Sequence, residues 1–461
     1  MIDGGEDASM SGHHMGNEDN MDVRPGLTAL TLTAVLLAGC GGGGNQADPA
    51  PTSAATAGST TTAATTSTTG AGDCPDLAVD PGWYGDNHQR LSEMLTRLGT
   101  CGGAGDVASG APLALFDWDN TVVKNDIGDA TTYWMIANGK VLQPADWATV
   151  STWLTPEAAQ ALTTACGALA EPGQPLPTDT PAGMACADEI LEVYSDGETT
   201  ADLKAFAGYN ARRIEPQYAF AAQLLAGYTD AEVMDFARQA RDQNLNAPEG
   251  TQQQVGSEDV TGWVRHYDQV TDLIQVMQAR GFDVRIVSAS SEPVVRVWAE
   301  SLGLEGDKVM GVTVVHDGDR LTSTLTACGG DETSMTYIEG KRCRVNEQIF
   351  GITGPAAFDP APEDKRAVFG AGDSDTDVSF MIDATELRLA INRNKTELMC
   401  HAYDNEDGKW LINPMFIDPE DQEDDPYPCS TAGEILPDGG KGPLKDIAGN
   451  LIEDQQDTVH R

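Results

Sequence analysis

Positive charge is scarce in this 461-residue chain: 28 Lys and Arg stand against 72 Asp and Glu, for a formal net charge of −44. A protein that grips nucleic acid needs a basic surface to displace counterions from phosphates, so no nucleic-acid partner is expected. Histidine is also sparse, with seven residues, none at ligand spacing. His13 and His14 sit in the N-terminal stretch, and His266 falls on a predicted helix. No Cys-x-x-Cys occurs, which argues against a structural zinc site. The N-terminal apolar stretch Leu27 to Leu37 is too short for a comfortable membrane span. No internal repeat is visible.

What is present begins with an address. Arg24, the apolar Leu27 to Leu37 and the small-residue run Leu37-Ala38-Gly39-Cys40 resemble a bacterial lipoprotein signal. The resemblance implies export, cleavage before Cys40 and a lipid anchor to the membrane through Cys40. That places the protein in the bacterial cell envelope, with Gly41 favouring the outer membrane, facing the periplasm or cell surface. An ordinary secretory signal or a buried helix is the alternative. The polar stretch before Met21 is unusual ahead of such a leader and fits a start codon assigned too far upstream. Residues 41–73 are rich in Gly, Ser, Thr and Ala without apolar periodicity, and read as a flexible tether. Eight cysteines then remain, an even number that suggests disulfides outside the cytoplasm. Neighbour pairing (Cys74–Cys101, Cys166–Cys186, Cys328–Cys343, Cys400–Cys429) is the simplest of many connectivities.

Four short apolar runs read as buried strands: Leu113 to Phe116, Val284 to Val287, Ala367 to Gly370 and Leu387 to Ile391. Helical patterns separate them, including residues 261–282, which stop at Gly281, and residues 340–354. Strands alternating with helices predict an α/β fold built on a doubly wound parallel sheet, with the site at the carboxyl ends of the strands. More than a hundred mostly helical residues separate the first two strands, far beyond a crossover connection. The expected organisation is a leader over 1–40, the tether over 41–73, a core in two parts over 74–127 and 259–418, a helical cap over 128–258, and an acidic, loop-like and partly disordered extension over 419–461.

The segment "LALFDWDNT" places Asp117 and Asp119 at the end of the first strand, where alternation points both the same way. Two carboxylates side by side repel unless a cation sits between them or they divide base and acid duty. A calcium loop does not explain them: "DWDNTVVKNDIG" and "DSDTDVSFMIDA" both lack the sixth-position glycine and the terminal glutamate.

"DWDNT" resembles the first motif, D-x-D-x-T, of the haloacid dehalogenase-like superfamily, and three further motifs follow in that family's order. "VRIVSAS" ends the second strand at Ser288, with Ser290 and Ser291 as alternatives. Lys341 opens a helix, with Lys365 as its competitor. "GAGDSDTD" supplies Gly372-Asp373 and Asp377. The resemblance implies a Rossmann-like core with an inserted cap and a Mg²⁺-dependent phosphomonoester hydrolase. Asp117 would be the nucleophile and Asp119 the acid/base. Thr121, Ser288 and Lys341 would bind phosphate, with Lys341 also counted as catalytic. Asp117, Asp119 (through its carbonyl), Asp373 and Asp377 would form the metal site, with Asp375 a weaker candidate.

The long cap resembles the phosphoserine-phosphatase-like branch, whose members act on a small phosphorylated metabolite. Within it the motifs look most like the exported bacterial phosphorylcholine phosphatases. For such a substrate, Trp118, Tyr133 and Trp134 are candidates for an aromatic cage around a quaternary ammonium, with Trp118 favoured. The alternatives are a catalytically silent ligand- or cation-binding lipoprotein and a phosphotransferase.

Overall fold

Six short apolar runs pair into one parallel sheet in the computed structural model, which describes residues 74–460. The expected leader, Cys40 and the tether lie outside the described residues. The sheet strands are β1 (Leu113–Phe116), β2 (Asp283–Ser291), β3 (Val309–Val312), β4 (Phe369–Gly372), β5 (Leu387–Asn392) and β6 (Trp410–Pro414). Their spatial order is β6-β5-β4-β1-β2-β3, every neighbouring pair parallel. β1, β4 and β5 are buried at every position, so both faces of the sheet are covered there, even where β5 carries Arg388 and Asn392.

The chain winds from β1 outward through β2 to β3, then returns to lay β4, β5 and β6 on the other side. That reversal puts a crevice outside the carboxyl ends of β1 and β4, the place where doubly wound sheets hold their ligands. The expected α/β sheet is therefore present. The third strand begins two residues later than Ala367, and edge strands β3 and β6 were not anticipated. Their glycine, asparagine and proline dilute the apolar signal on which a strand is recognised.

In chain order the helices are α1 (Asn87–Leu98), α2 (Ile127–Ala137), α3 (Pro156–Cys166), α4 (Pro181–Ser195), α5 (Pro216–Gln223), α6 (Asp230–Asn246), α7 (Asp268–Ala279), α8 (Glu292–Ala299), α9 (Glu339–Phe350), α10 (Val378–Ile382), α11 (Thr396–Asp404) and α12 (Cys429–Ala432). Five of them, α2 to α6, lie between β1 and β2. Proline starts α3, α4 and α5 because its missing N–H is one no helix could use there. A capping box of Thr229 and Glu232 opens α6. The helix expected over 261–282 is shorter, starting at Asp268. Arg265–His266 pairs instead with Val123–Lys124, closing a ribbon beside the end of β1.

All four neighbouring cysteine pairs form disulfides: Cys74–Cys101, Cys166–Cys186, Cys328–Cys343 and Cys400–Cys429. The acidic C-terminal segment, expected to be partly disordered, is folded instead. It carries α12 and a Glu434–Ile435/Lys441–Gly442 ribbon, and it buries Tyr427, Cys429, Leu444, Ile452 and Asp457. A few apolar anchors and a disulfide to α11 order a stretch whose composition reads as loop. Among the described residues no helix is long and apolar enough to cross a membrane.

Candidate active site

The ladder between β1 and β4 runs one residue past β1, where the Asp117 N–H donates to the Ala371 carbonyl at 2.9 Å. The chain then breaks away through Asn120, whose φ of 56° is tolerated by asparagine's short polar side chain. Asp117 and Asp119 consequently face the crevice, and Trp118 turns the other way. Its indole is fully buried, edge-on to His266 with ring centroids 6.1 Å apart. This corrects the expectation that Trp118 meets substrate: the alternation that aligns the two aspartates drives the residue between them into the core.

Lys341 is fully buried at the start of α9, and its ammonium donates to Asp117 Oδ1 at 2.7 Å and Asp377 Oδ1 at 2.6 Å. Lys341, rather than Lys365, is therefore the lysine at the site. Burial alone would depress its pKa, but the two carboxylates more than offset that and raise it. The turn into α9 is tight. Ile338 has a φ of 39°, a strained value for a β-branched residue, and a Cβ on Gly340 would lie 1.6 Å from the Met335 carbonyl oxygen. The Cys328–Cys343 disulfide anchors α9 just beyond Lys341.

β4 delivers the third carboxylate. Asp373 accepts from the Thr121 hydroxyl at 2.9 Å and from Arg393 Nη1 at 2.6 Å. The Thr121 hydroxyl also lies 3.1 Å from Asp117 Oδ2. Thr121 is fully buried and absent from the cavity wall, so it orients two carboxylates instead of binding phosphate as expected. Asp377 is also enclosed: its Oδ1 serves Lys341, and its Oδ2 accepts from the Asp373 and Ser374 N–H groups. Gly372 must be glycine because a Cβ there would meet the Asp377 Cβ at 2.5 Å.

Asp119 has a different environment. Its oxygens accept from the Ile127 N–H at 2.8 Å and the Ser290 hydroxyl at 2.8 Å, with Ser288 at a looser 3.3 Å. Ser288 is fully buried and its hydroxyl accepts from the Ser290 N–H, whereas Ser290 and Ser291 line the cavity. Ser288 therefore sits against Asp119 beneath the cavity, while β2 continues to Ser291 and carries the two alternatives, Ser290 and Ser291, to the opening.

Burial, joined by repulsion from neighbouring carboxylates, holds both catalytic candidates well above the usual carboxylate range. For Asp117 the neighbour is chiefly Asp377, opposed by Lys341. For Asp119 it is Asp126, opposed by the Ile127 and Ser290 hydrogen bonds. Asp126, which caps α2, and Asp129 in its first turn are raised as well, mainly by burial. Tyr194 donates to Asp129 at 2.5 Å.

Asp117, Asp119, Asp126 and Asp373 floor a cavity that opens to solvent. Thr131, Thr132 and Met135 of α2, Tyr194 of α4, Tyr218 and Ala221 of α5, and Leu225 form much of its remaining wall. Tyr133 and Trp134, the other cage candidates, are buried in the helical packing away from it. The sequence reading missed Asp126, Tyr194, Tyr218 and Arg393. Only Arg393 carried a signal, since it follows β5 at the carboxyl edge where this sheet type builds its site.

Asp117, Asp373 and Asp377 bring one carboxylate oxygen each within 4.8 Å of one another. An all-oxygen set is chemically suited to a hard divalent cation such as Mg²⁺. Asp117 and Asp373 open to the cavity and would hold it, while Asp377 is committed to Lys341 and backbone N–H groups.

Residues 183–381 match the haloacid dehalogenase-like hydrolase family, a stretch that contains Lys341, Asp373 and Asp377 but not Asp117 or Asp119. No curated protein matches the chain. Among solved structures, a conserved protein of unknown function from Anaerococcus prevotii DSM 20548 is similar at 20% identity. It covers 72% of this chain and 92% of its own, with a TM-score of 0.50, a likeness of fold. A protein of unknown function from Bordetella pertussis Tohama I reaches 17% identity over 66% of this chain and 98% of its own, TM-score 0.38. A substrate-bound phosphoserine phosphatase reaches 14% identity over 61% and 86%, TM-score 0.28. The last two scores are too low to bear on this chain.

Proposed function

We propose that this chain is a phosphomonoester hydrolase of the haloacid dehalogenase type, working through an aspartyl-phosphate. The observation that carries the reading is the asymmetry of Asp117 and Asp119. Both open to one cavity, but Asp117 is paired with an ammonium and Asp119 accepts only neutral hydrogen bonds. A cation beside Asp117 favours the carboxylate that must attack phosphorus. An uncompensated carboxyl with a raised pKa suits Asp119 to carry a proton.

In the first step an Asp117 oxygen bonds to phosphorus as the ester P–O bond breaks, and protonated Asp119 gives its proton to the departing alkoxide. In the second, ionised Asp119 takes a proton from water as the water oxygen attacks phosphorus. The Asp117–phosphate bond then breaks, restoring the carboxylate. Lys341 holds Asp117 in place and limits the charge built up around it, and Ser290 fixes Asp119. A Mg²⁺ held by Asp117 and Asp373 would neutralise charge on the phosphoryl oxygens when bound.

The same reading makes residues 128–258 a cap over the cavity and Cys40 a lipid anchor to the bacterial envelope. Phosphorylcholine is the small phosphorylated metabolite favoured by the motif resemblance, with Tyr194 and Tyr218 at the cavity in place of Trp118, Tyr133 and Trp134. The test is phosphate release with and without Mg²⁺ from phosphorylcholine, phosphorylethanolamine, phosphoserine and an aryl phosphate. Magnesium-dependent release that Asp117→Asn abolishes is expected. Full activity in Asp117→Asn would refute the nucleophile. Transfer of phosphate to an added alcohol would make the protein a phosphotransferase, and no turnover in metal-loaded protein would make it a binding lipoprotein.

A further inference from the structure

We propose that Arg393 is the residue that receives the substrate's phosphoryl oxygens from the cavity side, and that the C-terminal segment exists in part to hold it there. The inference rests on the phosphatase reading and adds a substrate-binding residue to it. Its first basis is charge. Asp117, Asp119, Asp126 and Asp373 all line the cavity, and Arg393 is the only cationic side chain among the described residues that do. Lys341 is sealed beneath, spent on Asp117 and Asp377. A dianionic ester entering past four carboxylates needs an opposite charge facing it, and a planar guanidinium presents paired donors that match phosphate oxygens. Arg393 already donates one N–H to Asp373 at 2.6 Å, which holds the group at the cavity that Asp117 and Asp373 also line, and 28% of its side chain stays accessible.

The second basis is how the residue is held. Arg393 follows β5 between two asparagines, and both are tied to residues near the C-terminus. Asn392 donates to the Val459 carbonyl at 2.9 Å and to Asp457 Oδ1 at 3.2 Å. Asn394, in the left-handed region at a φ of 58°, donates to the Asp421 carbonyl at 2.9 Å and accepts from the Tyr427 hydroxyl at 3.1 Å. Asp457 is itself buried, receiving the Tyr403 hydroxyl and the Glu423 N–H. The Cys400–Cys429 disulfide fastens the same segment to α11. A segment that looks like an acidic tail thus grips both flanks of Arg393, making Asp457 a positioning residue.

The test compares wild type with Arg393→Met, Arg393→Lys, Asp457→Asn and the Arg393→Met/Asp457→Asn double variant in the full chain, with Mg²⁺. KM and kcat are measured with the best ester of the panel. The affinity for inorganic phosphate is measured by calorimetry. Loss of a charge-assisted hydrogen bond pair should weaken phosphate affinity about 10- to 100-fold in Arg393→Met and raise KM in step, with Arg393→Lys recovering part. Asp457→Asn should weaken phosphate affinity by a smaller factor alone and by almost nothing once Arg393 is gone, because its effect passes through that side chain. Unchanged phosphate affinity and KM in Arg393→Met would overturn the inference while leaving the phosphatase intact. Additive effects in the double variant would overturn the role of the C-terminal segment. A wild type that turns over no ester would sink the phosphatase reading instead. Phosphate binding would still decide: weakening by Arg393→Met supports the inference, and no binding or no change refutes it.

Discussion

Replacing Lys341 with methionine tests the core of the site, because the ammonium is the one group opposing two enclosed carboxylates. Met keeps most of the side-chain volume, so packing is largely preserved and the change is electrostatic. Lys341 is fully buried between Asp117 at 2.7 Å and Asp377 at 2.6 Å, and its removal leaves two uncompensated charges. Breaking a buried pair in this way costs about 3–5 kcal/mol. With an unfolding entropy of about 2.1 cal/mol/K per residue over residues 74–460, that corresponds to a fall in Tm of roughly 4–6 °C. The sign of the pH dependence follows from the carboxylates. Burial already raises Asp117 and Asp377 above their unfolded values, and loss of the lysine raises them further. A raised carboxyl contributes stability at pH below its unfolded value and loses it as pH rises through the folded one. The deficit should therefore be small near pH 4, grow with pH and level off once both groups are ionised. Adding Asp377→Asn should return part of the stability but none of the activity. Thermal unfolding of the wild-type, single and double variants, in chelator and across pH 4 to 8, measures all of this. A deficit that is independent of pH, or a Tm within a degree of wild type at pH 8, would refute the reasoning.

Asp119 must be protonated for the first step, and its raised pKa extends the acid form above the ordinary carboxylate range. The rate of ester cleavage for a poor alkoxide leaving group should fall on the basic side of that pKa. In Asp119→Asn, alkyl esters should lose about 100- to 10,000-fold in rate and an aryl ester much less, since only the former needs the proton. Pre-steady-state pH profiles on both ester types check this. Gly372→Ala should destabilise by about 1–3 kcal/mol and lower kcat, because the new methyl collides with Asp377 and displaces Lys341's partner. Denaturant melts and kinetics read both effects. Removing the Cys328–Cys343 bridge, whose cysteines are 15 residues apart, should cost about 3 kcal/mol by freeing the unfolded chain. A denaturation midpoint of Cys328→Ser/Cys343→Ser equal to wild type would contradict that.

The sequence alone determined that Leu113 to Phe116 is a buried strand ending in a pair of aspartates, and that a lysine and a second aspartate cluster follow in an order that implies one site. Those features are local: apolar runs, alternation and turn chemistry are written within a few residues. Asp117, Asp119, Lys341, Asp373 and Asp377 accordingly stand together at the switch point of the sheet. Tertiary structure decided which neighbours face the opening. Trp118 reads as a substrate contact until the alternation that aligns the two aspartates turns its indole inward, and β2 runs four residues past its apolar run, which brings Ser290 and Ser291 to the cavity wall while Ser288 stays buried against Asp119. Thr121 and Asp377 proved to orient other groups, a distinction that depends on which oxygen meets which donor. Arg393, Tyr194 and Tyr218 join the cavity from the turn after β5, from α4 and from α5, well separated along the chain. The C-terminal segment folds because buried anchors and a disulfide outweigh its acidic composition. Local residue pattern selects elements; the placement of side chains around a shared cavity is a property of how those elements pack.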